Sequence, residues 1–268
     1  MKKQNLMQKI ANPKFFMALT DKLLPVITFL AIGIVAIGMY LAFFVAPVDY
    51  QQGHTVKIMF LHVPSAWLGM MGYALMAISS LSYLVFHHPL ADVSARSCAI
   101  VGAVFTLLAL ITGALWGKPM WGTYWVWDAR LTSVLILFFL YLGIIALRSS
   151  IDDEALASKQ AAIMAIIGVA ILPFIKISVE GLNIPWLGLN LPSWNTLHQP
   201  PSVLRSGGPT IHSSILVPLL INALGFTLMF FALHLKAMRN EILRRKIKSL
   251  KLAEIARIRS YESTIANF

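Results

Sequence analysis

Two histidines and a run of tryptophans are the residues of this chain best suited to chemistry. His62 stands in Phe60-Leu61-His62-Val63-Pro64, and His198 in Trp194-Asn195-Thr196-Leu197-His198-Gln199-Pro200. From Trp116 to Arg130 the chain reads Trp-Gly-Lys-Pro-Met-Trp-Gly-Thr-Tyr-Trp-Val-Trp-Asp-Ala-Arg, which holds four of its seven tryptophans. Imidazole is a neutral nitrogen ligand near physiological pH. Indole is large, flat and amphipathic, and it settles where one end is wet. Such a cluster is either a membrane-interface girdle or a surface for something flat and apolar. Its position relative to a membrane separates the two.

The elements that carry these residues are membrane helices. The 268 residues are 58% hydrophobic and 12% charged, with a mean hydropathy of +0.74, against about 25% charged in soluble domains. Six apolar runs are long enough to span, at about 24–46, 57–86, 97–116, 130–148, 160–178 and 212–235, with ends good to a few residues. The predicted fold is all-α and polytopic, with a six-helix membrane domain over 1–235 and a basic amphipathic tail over 236–268. The net charge of +11 fits positive cytoplasmic segments rather than nucleic acid. The single cysteine, Cys98, excludes an internal disulfide, a Cys-x-x-Cys redox pair and a Cys-x-x-Cys-His haem attachment. The basic N-terminus (Lys2, Lys3, Lys9, Lys14, Lys22) precedes a stretch too long for a signal peptide, so that stretch is expected to stay as the first helix.

Most Lys and Arg fall in the N-terminus, in the loops near 87–96 and 149–159, and in the tail, so both termini are expected to be cytoplasmic. The loops near 47–56, 117–129 and 179–211 then face outward, in a bacterium the periplasm. Trp116, Trp121, Trp125, Trp127, Trp186 and Trp194 all fall on that outer side, with Trp67 a turn or so below. A girdle would occupy both interfaces, so the asymmetry favours a ligand platform. His87, His88 and His234 lie toward the cytoplasm, whereas His54, His62, His198 and His212 can reach the outer side. Two imidazoles, an aromatic surface and the cations Lys118, Arg130 or Arg205 match a porphyrin with an iron and two carboxylates. Zinc fits less well, since no acid or cysteine joins the histidines. Asp128 is expected to cap the helix that follows and to pair with Arg130. No bond-making residue set is evident, so no enzyme is expected.

The stretch Trp116 to Ser133 resembles the tryptophan-rich "WWD" signature of haem-handling proteins in bacterial cytochrome c maturation. With Leu61-His62-Val63-Pro64, Ala46-Pro47-Val48-Asp49-Tyr50-Gln51-Gln52-Gly53 and Trp194-Asn195-Thr196-Leu197-His198-Gln199, the chain resembles the CcmC (haem exporter protein C) family from about Asp21 to Asn240. The resemblance implies a multi-pass protein of the bacterial inner membrane that holds non-covalent haem b as cargo. It implies His62 and His198 as axial ligands, and Trp116, Trp121, Trp125, Trp127 and Asp128 as the platform, with Tyr124, Arg130 and Trp194 beside them. It further implies work with the CcmA–CcmB ABC transporter and CcmD, and presentation of haem to the periplasmic chaperone CcmE. Three departures stand out. Tyr124 replaces a usual Trp, and Val134 a Glu of some relatives. Gly181 to Ser193 looks like an insertion, expected to lie as a lid on the bilayer or over the haem.

Two other readings compete. A bis-histidine cytochrome b subunit would carry both ligands on spanning helices, but His198 falls in a loop. A transporter with an incidental girdle would show mid-bilayer acids or broken helices, but the spans lack such acids and only Pro173 and Pro218 are expected to break the later ones. The tail reads as a basic surface helix attracted to anionic membrane lipid.

Overall fold

The computed structural model describes residues 12–199, 202–203 and 207–265. Six helical stretches are long and apolar enough to cross a membrane. Helix α1 (Pro13–Tyr40) starts where the Asn12 side chain accepts from Lys14 N at 2.9 Å with Pro13 in the first turn, and it runs into a π turn, Leu41–Val45. Asp49 then turns the chain by accepting from Gln51 N and Gln52 N, and a 3-10 turn (His54–Ile58) leads into α2 (Met59–Phe86). The His88 side chain caps α3 (Pro89–Trp121), which Gly122 ends at φ +74°. Asp128 caps α4 (Ala129–Ser150), and Asp153 caps α5 (Glu154–Gly168). Helix α6 (Ile171–Glu180), a small hairpin of β1 (Leu182–Ile184) and β2 (Leu189–Leu191), and α7 (Ser213–Ile265) complete the order.

Helices α2 and α3 form the centre, against which α4 and α5 pack, while α1 lies along α7. Small residues permit the close approach, as they do between membrane helices generally. The Tyr141 hydroxyl donates to Gly69 O at 2.8 Å, and a Cβ on Gly102 would fall 2.1 Å from that hydroxyl oxygen. Tyr73, Cys98, Tyr141, Ile144 and Ile175 are buried around it.

Several element ends differ from expectation. Helix α3 continues past 116 to Trp121, so Trp121 belongs to a helix rather than to a loop. The fifth span is broken at Val169 and Ala170, because Pro173 brings no N–H to the carbonyl four residues back and its ring crowds it. Pro218 breaks nothing. It lies inside α7, which runs on through it. No Gly or Pro follows Gly225, so the last span and the tail are one helix of 53 residues.

A charged clamp at the tail end of the bundle had no counterpart in the sequence reading. The buried carboxylate of Asp92 pairs with Arg148 and Arg245 and accepts from Ser158 Oγ at 2.9 Å. Glu241 pairs with Arg96, Arg244 and Arg245. One polar knot thus joins α3, α4, α5 and α7.

Candidate functional site

At the opposite end of the bundle a cleft opens between α2, α3 and α4. Its lining follows α3 from Trp121 down to Thr106, a depth of about 22 Å at 1.5 Å per residue. Helix α2 contributes His62, Ala66 and Met70, and α4 contributes Arg130, Leu131, Val134 and Leu137. Gln52, His198 and Gln199 close the loop end. The empty space between these atoms, part of it open solvent, is about 1000 Å³. The expected surface platform is therefore a cleft set between helices.

His62 enters this cleft from the first turn of α2. Its Nδ1 lies 3.0 Å from Ala109 O and 3.2 Å from Thr112 Oγ1, whose own proton goes to Leu108 O at 2.7 Å. A carbonyl only accepts, so Nδ1 carries the proton and Nε2 keeps its lone pair. Gly113 leaves room for the ring, since a Cβ there would fall 2.9 Å from His62 Cε1. The edge of Trp116 packs on the imidazole with centroids 5.7 Å apart, and its Nε1 donates to Gln52 Oε1 at 3.0 Å.

His198 is held in the same manner from the other side. Its Nδ1 donates to Gln199 O at 2.8 Å, which leaves Nε2 as the basic nitrogen. Its backbone N donates to Thr196 Oγ1 at 3.1 Å, and that hydroxyl donates to Asp128 Oδ2 at 2.6 Å. Leu197 N donates to the same oxygen at 3.2 Å, while Asp128 Oδ1 caps Leu131 N at 2.8 Å. One carboxylate thus starts α4 and latches the loop that carries His198. Burial, then the Arg130 guanidinium, lower the His198 pKa below its ordinary 6.5, which favours the neutral ring.

Of the sequence-predicted residues, His62, His198, Trp116, Trp121, Trp125 and Arg130 line the cleft. Asp128, Tyr124, Trp127 and Trp194 stand outside it. Asp128 is the latch, and instead of pairing with Arg130 it holds Thr196 and Leu197; Arg130 donates to Ile175 O. Tyr124 takes Lys118 Nζ over its ring at 5.3 Å, so that cation is turned away from the cleft toward Tyr124 and Gly122 O. Trp127 is 77% exposed with its edge on Trp125, and Trp194 packs on Phe174 at 4.8 Å. Arg205 lies outside the described residues. The 181–193 segment forms the hairpin, and its residues are not among those that line the cleft. The Nε1–H of Trp125 is buried on the cleft wall without an acceptor among the described residues.

The family model described as heme exporter protein C matches residues 6–253. The chain belongs to this family. The heme exporter protein C of Bradyrhizobium diazoefficiens is 53% identical over 249 residues, covering 93% of this chain and 90% of that protein. Its counterpart in Escherichia coli K12 is 41% identical over 237 residues, covering 88% and 91%. A Marchantia polymorpha protein named as a putative cytochrome c biosynthesis ccmC-like mitochondrial protein is 43% identical over 212 residues, covering 79% and 85%. In this chain the sequence reading missed Gln52, Gly113 and Thr196 as site residues. Gln52 and Thr196 stand inside the motifs that marked the family. Gly113 gave no such signal, because only packing shows which ring a missing side chain admits.

Proposed function

We propose that this chain holds haem b at the periplasmic face of a bacterial inner membrane and presents it to the chaperone CcmE for cytochrome c biogenesis. One observation carries the reading: two imidazoles in one aromatic-walled cleft, each with Nδ1–H fixed on a backbone carbonyl and Nε2 left basic. That is the preparation a metal-ligating histidine needs. The residues fit the porphyrin in other respects too. Trp116, Trp121 and Trp125 offer ring faces, Arg130 offers a cation for a propionate, and the unpartnered Trp125 Nε1–H offers a donor. Haem is cargo here, and the polypeptide supplies ligation and shape but no bond-making group. The names of the relatives, which refer to heme export and cytochrome c biosynthesis, support the same reading. The excess of Lys and Arg toward the tail end supports cytoplasmic termini and an outward cleft. CcmA–CcmB and CcmD are the expected membrane partners.

The test is a pyridine-haemochrome and Soret spectrum of the purified protein beside His62→Ala and His198→Ala. Wild type should show six-coordinate, non-covalent b-type haem, and each variant should lose that coordination. An unchanged spectrum in both variants would overturn the ligand assignment.

Two more predictions follow from the geometry. Gly113→Ala improves helix propensity by up to about 1 kcal/mol, yet its Cβ collides with the His62 ring. Its thermal midpoint should hold while the Soret spectrum shifts toward weakened His62 ligation; a wild-type spectrum would contradict the packing. Burial, then Arg130, lower the His198 pKa, so the acid loss of haem coordination should lie below the ordinary histidine value of 6.5. Arg130→Gln removes a positive neighbour, raises the His198 pKa and should move the acid loss to higher pH. A titration midpoint that does not move in that direction would exclude His198 as the acid-sensitive ligand.

A further inference from the structure

A second concavity runs between α1 and α7, away from the cleft, with about 1100 Å³ of space open along one side. Leu24, Phe29 and Ile32 from α1 and Met229 and Leu233 from α7 line its length. Asp21, Lys236 and Arg239 gather at one end only. We infer that this groove binds one anionic phospholipid of the leaflet at the tail end, with its phosphate on Lys236 and an acyl chain along Leu24, Phe29 and Ile32.

Charge decides the headgroup. Arg239 is already used: its Nη1 donates to Met17 O at 2.9 Å and to Thr20 Oγ1 at 2.7 Å, and its Nη2 pairs with Asp21. Lys236 is exposed at the rim with no carboxylate in an ion pair with it among the described residues. The polar end therefore keeps one positive charge over, and basic pockets between spans on the cytoplasmic side select anionic headgroups. Pro25 brings no N–H to the Asp21 carbonyl, which leaves an acceptor for a headgroup hydroxyl.

Length and shape decide the rest. From Asp21 to Ile32 the groove follows α1 for about 16 Å, close to the roughly 15 Å hydrocarbon depth of one leaflet. Helix-on-helix contacts in membranes favour small residues that let backbones meet. This wall carries mostly Leu24, Phe29, Ile32, Met229 and Leu233, with Thr28 and Ala232 the small residues among them, which suits a flexible chain better than a second helix.

The test uses the full-length protein in a mild detergent, titrated with phosphatidylglycerol or phosphatidylcholine of identical chains and read by native mass spectrometry. Wild type should retain phosphatidylglycerol in preference by about fivefold, the worth of one cation near a headgroup. Lys236→Gln should bring that preference close to one. Leu233→Trp, at a half-exposed position, should fill the groove and lower retention of both lipids. Equal retention by wild type, or a preference that survives Lys236→Gln in a protein with an unchanged melting midpoint, would overturn the site. So would a co-purifying membrane helix that excludes lipid from wild type and is lost with Leu233→Trp.

Discussion

Asp128→Asn should weaken haem retention by roughly tenfold to a hundredfold, since hydrogen bonds to a charged group are worth about 1.5–3 kcal/mol each. The asparagine oxygen can still cap Leu131 N, but its amide nitrogen, a donor only, accepts from neither Thr196 Oγ1 nor Leu197 N, whereas Asp128 Oδ2 accepts from both. The His198 loop is then freed from α4. Its ring no longer waits in place, so the entropy of ordering it falls on the binding step. Thr196→Val removes the hydroxyl half of the same latch from the other side and leaves the carboxylate, the Leu197 N bond and the cap intact. Both variants should melt close to wild type while releasing haem faster to an apo-globin acceptor. Asp128→Ala should add a loss of about 1 kcal/mol in stability from the missing cap. Wild-type haem retention in both Asp128→Asn and Thr196→Val would remove Asp128 from the site altogether.

The second large effect is expected at the other end of the bundle. Asp92 is 1% exposed and Arg148 8%, so Asp92→Ala leaves a buried guanidinium without its partner. Breaking a buried pair in this way costs about 3–5 kcal/mol, a large fraction of the roughly 5–15 kcal/mol stability of typical domains. The variant should accumulate poorly and melt well below wild type in detergent. Removing both charges with Asp92→Leu and Arg148→Met should recover part of that loss, because the desolvation cost goes with the pair. Arg245 would still lack Asp92, but it keeps Glu241 and Glu154. An Asp92→Ala protein that melts within a degree or two of wild type would show that the knot does not hold α7 to the bundle.

These two carboxylates show how differently the chain exposes its plan. Asp128 could be read as a cap because capping is a local matter of one side chain and the next three residues. Its link to Thr196 spans 68 residues, and no local pattern carries that. Asp92 offered less still: it stands in a polar-looking stretch before an apolar run, and its partners come from three other helices.

The six apolar runs, the one-sided tryptophans and the two histidine motifs were legible in the residues alone. Spanning is dictated by length and hydropathy, and family motifs are contiguous strings. In the sequence no bond-making set accompanies the two imidazoles, so ligation is the chemistry it leads one to expect. Packing decided which aromatics face the ligand space. Trp116 and Trp121 turn inward because α3 outlasts its apolar run, whereas Trp127 stays exposed and Trp194 leans on Phe174. Packing also fixed the histidine tautomers, which depend on the carbonyl each Nδ1 meets: Ala109 O lies 47 residues from His62, and Gln199 O is next to His198. Local free energies write themselves into short windows of sequence. The cleft, the latch and the charged knot are sums over helices that only their close approach brings together.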